Sequence, residues 1–244
     1  MDSTRRTALI AGVLFLITFV ASIPAVFWSY ATVLDDVNYV IGSGGNTRIA
    51  SGALLEMVVI VANIGTAVVL FPILKRQNET LALSYVAARI IESTFIAVGI
   101  LSLLTIVTLQ QKFADGATGD EGTFVTAGQS LVATHDWTFI LGPGFIVGIG
   151  NGLILGYLMY TSGLVPRRMA MLGLIGGPLI IISGIAVLFD VIEPGGPAQA
   201  IATIPEFFWE LFLGLYLTFK GFKPAPIITG DHGRPGVTAS PATG

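Results

Sequence analysis

Six stretches of this chain are almost wholly apolar: roughly 7–30, 50–74, 82–109, 136–160, 168–189 and 199–220. Polar residues gather in the short segments between them and at the C-terminal end. About 20 apolar residues in a helix, rising 1.5 Å each, cross a hydrocarbon core of about 30 Å. The pattern predicts an all-α polytopic membrane bundle of six transmembrane helices. Several runs exceed the minimum span, which allows tilt or protruding ends. The connections are too short for a soluble domain, so residues 1–223 read as one six-helix transmembrane domain. After Lys223 the chain turns to Pro-Ala-Pro and then Gly, Pro, Thr and Ser, a composition that cannot bury a core; 224–244 is expected to be a disordered cytoplasmic tail.

Composition agrees: 53% of the 244 residues are hydrophobic and 11% charged, with a mean hydropathy of +0.82. The net charge of −3 says little, whereas the distribution of Lys and Arg says more. Arg5-Arg6, Lys75-Arg76, Arg167-Arg168 and Lys220 with Lys223 fall at one set of boundaries. Arg48 and Lys112 alone fall at the other, among Asp35, Asp36, Asp115, Asp120, Glu121, Asp190 and Glu193. The positive-inside rule then puts both termini in the cytoplasm of a multi-pass inner-membrane protein. Arg5-Arg6 before an apolar run, with Ala-Ser-Ile-Pro-Ala at 21–25, loosely resembles a cleavable or twin-arginine signal. The charge pattern of the other five helices favours an uncleaved first helix.

Loop one, about 31–49, with its Asp35-Asp36 pair and the Gly-Ser-Gly-Gly run at 42–45, reads as an ordered turn region. Loop three, about 110–135, reads as the longest and most polar loop. In the fourth helix Gly144, Gly148, Gly152 and Gly156 recur every four residues, the small-residue stripe that lets two backbones approach in lipid. Its partner is either a helix of the same chain or a second copy, so a homo-oligomer through this stripe is a candidate assembly. Gly176-Gly177-Pro178 is expected to kink the fifth helix.

The residues that change the picture are ionisable ones inside the apolar runs: Glu56, Arg89, Glu92, Glu206 and Glu210. Such groups are costly in a membrane, face a bundle interior or a cavity, and mark ligand sites or pathways. Counting residues, Glu92 lies near the midplane, with Arg89 one turn nearer the cytoplasm on the same face. Glu56 lies about 9 Å below the outer surface, and Glu206 and Glu210, at i,i+4, at about 9 and 15 Å. His135 and Asp136 are expected at the outer mouth of the fourth helix, beside Trp137 as an interface anchor. Asn63 and Asn151 sit in outward-to-inward helices that both end at basic pairs, too few features to call a repeat.

Four glutamates against one arginine would leave roughly three uncompensated charges in low dielectric if all were ionised. Protonation, hydration from an outward-open cavity or a bound cation must balance them. A plainer reading stands beside each: Arg89–Glu92 as a structural ion pair, Glu206 and Glu210 as neutral interhelical hydrogen bonders, Asn63 and Asn151 as helix glue, His135 as a cap.

Other chemistries find no support. There are no cysteines, and His135 and His232 are the only histidines, so bis-histidine haem, H-E-x-x-H zinc and Glu-x-x-His di-metal sites are ruled out. Gly42-Ser43-Gly44 lacks a histidine base. Asn78-Glu79-Thr80 matches a glycosylation sequon but falls on the cytoplasmic side. No phosphate-binding loop or nucleic-acid patch is present, no cofactor is implied, and neither catalytic nor metal residues can be assigned.

Several stretches together resemble a known family. They are Ala11-Gly12-Val13-Leu14-Phe15-Leu16-Ile17, Gly52-Ala53-Leu54-Leu55-Glu56, Asn63-Ile64-Gly65 and Phe71-Pro72-Ile73-Leu74-Lys75-Arg76. Ala88-Arg89-Ile90-Ile91-Glu92-Ser93, Ser162-Gly163-Leu164-Val165-Pro166-Arg167 and Lys220-Gly221-Phe222-Lys223 complete the set. The sequence is similar to a bacterial family of integral membrane proteins known only as domain of unknown function 4386. The resemblance implies a six-helix, uncleaved inner-membrane protein with no established activity and no catalytic residue to carry over.

Three functions compete. The first is binding or transport of a proton, cation or small molecule through an outward-facing polar cavity. The second is an intramembrane enzyme using carboxylates on a lipid-like substrate. The third is a structural or regulatory membrane subunit. Beyond the lipid bilayer, a small ligand or cation and a second copy are the candidate partners.

Overall fold

The computed structural model describes residues 3–116 and 119–229. Six helices are long and apolar enough to cross a membrane: α1 Ser3–Ser29, α2 Asn46–Leu74, α3 Glu79–Ala114, α4 Glu121–Ser162, α5 Arg167–Leu188 and α6 Pro197–Phe219. Among the described residues there is no strand. The protein is a multi-pass integral membrane protein. The ends of the helices have local causes. Asn78 caps α3, its side chain accepting from Leu81 N at 3.0 Å. Gly163, at φ +68, ends α4 in the left-handed conformation that glycine adopts without strain. Pro166 then starts α5.

Each helix packs on its neighbours in sequence, and α6 returns to pack on α1, so the six close into a ring. The closing seam depends on glycine: a Cβ at Gly12 of α1 would lie 2.8 Å from the Gly214 carbonyl of α6. Arg5 ties the same two helices at their basic ends, donating to Leu217 O at 2.9 Å and Thr218 O at 2.7 Å. These carbonyls belong to the last turn of α6, where no helical partner remains and a cation is favoured.

The glycine stripe of α4 finds its partner inside the chain. A Cβ on Gly148 would meet the Gly177 carbonyl at 2.8 Å, and one on Gly152 would meet Gly177 Cα at 2.5 Å. Gly156 faces Ala170, Gly173 and Leu174 of α5. Of the two partners left open for the stripe, the structure supplies a helix of the same chain, α5, and a homo-oligomer through the stripe would have to displace that contact. A Cβ on Gly144 would come nearest Phe139 O and Gln199, while the Gly144 carbonyl would lie 3.7 Å from a Cβ on Gly184 of α5. Around the stripe α4 widens to π-helical turns over Gly142–Ile146 and Gly148–Leu155. Pro143 and the glycines lower the helix propensity here, and π-turns are frequent at functional sites. Pro178 lies inside α5, whose helix continues to Leu188.

The polar segment 110–135 is not the long loop that its composition predicts. α3 runs on to Ala114, and α4 starts at Glu121. Asp120 caps α4 by accepting from Thr123 N at 2.8 Å, and these N–H groups hold its carboxyl below the usual carboxylate range. Phe124, Val125, Leu131 and Val132 then pack on a cluster containing Tyr30, Tyr39, Val40, Ile49, Leu103 and Ile106. Spaced i, i+1, i+7 and i+8, these residues share one face of an amphipathic helix that covers loop one. Loop one itself is ordered, with helical turns at Ala31–Leu34 and Tyr39–Ile41.

Side chains fill the ring unequally. Its basic half is plugged by Phe15, Leu70, Leu74, Tyr85, Leu155, Leu158, Trp209, Leu213 and Leu217, all fully buried. Ala225, just beyond α6, joins this cluster, and Pro226–Thr229 forms a further helical turn. The rest of the tail, from 230 on, lies outside the described residues, as does His232.

The α4–α5 seam leads to a prediction. Gly152→Ala drives a Cβ into the backbone of Gly177 and is expected to cost about 1–3 kcal/mol, lowering the melting temperature in mild detergent. Gly65→Ala meets only the movable end of Leu14, at 3.1 Å, and should leave the melting temperature unchanged.

Candidate functional site

Above the apolar plug, toward the end rich in acidic residues, the ring encloses a cavity of about 320 Å³. All six helices line it. α1 contributes Thr18, Ser22, Ile23 and Phe27; α2 Glu56 and Asn63; α3 Arg89 and Glu92; α4 Phe139 and Pro143; α5 Ile180; α6 Thr203, Glu206, Phe207 and Glu210. The five ionisable residues that interrupt the apolar runs therefore share one space. On its rim Ile23, Phe27, Phe139 and Phe207 are exposed, and Phe19 meets Phe207 edge to face at 5.2 Å, bridging α1 and α6.

Arg89, 1% exposed, is the only cation among the described residues of the cavity wall. Its Nη1 donates to Glu92 Oε2 at 2.7 Å, its Nη2 to the Asn63 side-chain oxygen and its Nε to the Asn63 carbonyl at 3.5 Å. Asn63 Nδ2 in turn donates to the other Glu92 oxygen at 3.1 Å. The three side chains close a hydrogen-bonded circuit between α2 and α3 that uses both oxygens of Glu92. A buried ion pair satisfied in this way is tolerable in low dielectric; one missing a partner is not.

The α6 carboxyls have less company. Glu210 accepts from the Asn151 side-chain nitrogen, and the Trp209 indole donates to the Asn151 carbonyl at 2.9 Å. Asn151 thus pins α6 to α4 and lies behind the cavity wall. Glu206, 2% exposed, has no hydrogen-bond partner on either carboxyl oxygen. It rests on two glycines: a Cβ at Gly176 would fall 2.8 Å from Glu206 Oε2, and one at Gly152 would fall 2.9 Å away. The close helix approach carries an acid into the cavity and gives it nothing to bond to.

Glu56 accepts from the Tyr30 hydroxyl at 2.8 Å. Tyr30, fully buried beyond the end of α1, is a site residue that apolar-run counting misses. The only signal for it was its position at the end of the first run, opposite a carboxyl near the start of the second. His135 and Asp136 do not line this cavity and are not at a helix mouth. They sit 14 and 15 residues inside α4, because the polar start of that helix is itself helical. His135 is buried against the Tyr30 ring at 5.7 Å, with Asp136 exposed beside it. Among the described residues no group of three or more His, Cys, Asp or Glu side chains is arranged to hold a metal ion.

The match to known proteins is to a family alone. A family model described as Domain of unknown function (DUF4386) matches residues 10–221, and the chain belongs to that family. No curated protein and no solved structure matches it.

The Asn63–Arg89–Glu92 circuit makes a prediction about stability. Arg89→Met leaves Glu92 without its cation and is expected to cost about 3–5 kcal/mol. Arg89→Met combined with Glu92→Leu should recover most of that loss, because both charges are then gone. Melting of the two variants in mild detergent checks the order.

Proposed function

We propose that the protein binds a small organic cation, one charged ammonium group on an apolar body, in the central cavity. The observation that carries this reading is Glu206: a buried carboxyl with two unpartnered oxygens, in a cavity that holds four glutamates and one arginine. With Glu92 engaged by Arg89 and Asn63, the unmet demand for donors and positive charge lies on the α6 side. A cationic N–H group supplies both. Beside the hydroxyls of Thr18, Ser22 and Thr203, the rest of the wall is mostly apolar and aromatic, with Phe19, Phe27, Phe139 and Phe207, which favours an ammonium carried on an apolar group over a hydrated inorganic ion. The volume of about 320 Å³ lies at the lower end of typical small-molecule sites.

We take the basic end as cytoplasmic, on the positive-inside rule, in an inner membrane. The cavity then faces outward, away from the apolar plug, and the module serves as the receiving half of a transport or sensing step.

The test is melting of purified protein with tetramethylammonium, benzylammonium, phenylethylammonium, sodium and magnesium. The aryl-ammonium ions are expected to stabilise most, by about 2.7 kcal/mol at a hundredfold excess over Kd. Glu206→Gln should abolish the shift without lowering the melting temperature of the ligand-free protein. Glu193→Gln, on the exposed connection before α6, should keep it. Equal shifts in wild type and Glu206→Gln, or no shift with any cation, would contradict the reading.

A further inference from the structure

The cavity wall is thinnest where α1 meets α6. In the basic half the two helices are in close contact: a Cβ on Gly214 would lie 3.1 Å from Phe15 Cβ and 3.2 Å from Leu16 Cδ2. Further up, Phe19 and Phe207 still touch. Beyond that pair α1 is drawn toward α2. Its last turn, the π-helical Ala25–Ser29 that follows Pro24, packs on α2. A Cβ on Gly52 of α2 would fall 2.7 Å from Ser29 Cβ and 2.5 Å from the Tyr30 ring. The bond from Tyr30 to Glu56 fastens the same end. Residues on both sides here line the cavity and are exposed as well: Ile23 at 44%, Phe27 at 78% and Phe207 at 40%. Counted from the acidic ends of their helices, Ile23 lies about 9 Å and Phe207 about 15 Å deep. Val20, Ile201, Ile204 and Phe208 beside them are exposed apolar side chains too. An opening at that depth, with an apolar rim, meets hydrocarbon.

We propose that this side opening is the entrance to the cavity, and that the ligand is a single-chain cationic amphiphile arriving from the leaflet on the acidic side. The inference rests on the cation-binding reading above and adds the ligand's class and its route. The ammonium group reaches Glu206, which has no other partner on either oxygen. The chain stays between the outer halves of α1 and α6, beside Ile23 and Phe27. Left there it keeps hydrocarbon around it, and binding exposes none of it to water. The rim rings of Phe27, Phe139 and Phe207 suit the methyl groups of an alkylated ammonium. The headgroup carries no phosphate or sulfate, because four glutamates and one arginine line the space and a further anion is repelled. The common zwitterionic and anionic lipids, which crowd the same opening, are thereby turned away at the headgroup. The bilayer delivers the ligand and the carboxyls select it.

The chain has no cysteine, so a bimane fluorophore can be attached at Ile23→Cys in the full chain, held in lipid nanodiscs. Bromododecyl-trimethylammonium, bromododecyl-phosphocholine and bromododecyl sulfate serve as membrane quenchers, and iodide as the aqueous one. The chains are expected to quench where iodide does not. The trimethylammonium form should act at a mole fraction roughly tenfold or more below the other two. Glu206→Gln should erase that preference and keep the quenching. Bimane at Val13→Cys, exposed in the basic half of α1, should show no preference among the three. Quenching by iodide and not by the chains puts the opening in water and overturns the entrance, while the aryl-ammonium melting shift still supports cation binding. Chains that quench without preference overturn the amphiphile as ligand. If the melting shift is absent too, the failure lies in cation binding itself.

Discussion

A guanidinium inside a bilayer needs a full set of acceptors, and much of this structure is organised around supplying them to Arg89. Its donors are met by one carboxylate and by both oxygens of one asparagine. Those acceptors stand on α2 and α3, so the two helices must face each other in a fixed register and depth. Asn63 can serve Arg89 only because its own side-chain nitrogen is engaged by Glu92. Once that circuit is closed, it leaves nothing for the remaining carboxyls. The lone cation of the cavity wall is consumed at one side, and the glutamates opposite face a space without positive charge.

The architecture reinforces that asymmetry. A ring in which every helix contacts its sequence neighbours, closed by α6 on α1, has an interior that side chains must fill. In the basic half they do, with Trp209, Tyr85 and large aliphatic residues. In the acidic half the interior is left to polar groups and a void. Glycine makes the difference on α5: Gly173 admits the Trp209 indole, Gly176 the Glu206 carboxyl and Gly177 the backbone of α4. One seam therefore builds both the plug and the least satisfied acid. Burying an unpaired polar group costs free energy that a protein built only for stability would avoid, and that cost is what supports the proposal that Glu206 belongs to a binding site.

The membrane class, the six helices and the convergence of Glu56, Asn63, Arg89, Glu92, Glu206 and Glu210 were legible in the chain. Ionisable residues cannot face lipid, and a bundle of six helices has only one interior to receive them. The partnership of Arg89 and Glu92 followed from their i,i+3 spacing. Other features were not legible. The start of α4 was hidden because an amphipathic helix of Thr, Ser, Gly and Gln carries too little hydrophobicity to stand out from a loop. With it went the burial of His135. The partner of the glycine stripe depends on where α5 lies, and four-residue spacing is the same for an internal and an external contact. Tyr30 depends on loop one folding back over the ring, which no local pattern encodes. The split between a satisfied Glu92 and an unsatisfied Glu206 is a matter of fractions of an ångström between helices distant in sequence.

The central claim is electrostatic: an accessible interior with an excess of carboxylates on one wall. The chain has no cysteine, so a single one placed at Ser22, on the α1 side of the cavity, can report the local field. The measurement is its rate of reaction with a cationic and an anionic methanethiosulfonate of similar size, each referred to a free thiol in solution. The account predicts a preference of roughly tenfold or more for the cationic reagent, falling toward the free-thiol ratio when Glu206 and Glu210 are both changed to Gln. A free-thiol ratio in the otherwise unaltered chain would contradict it.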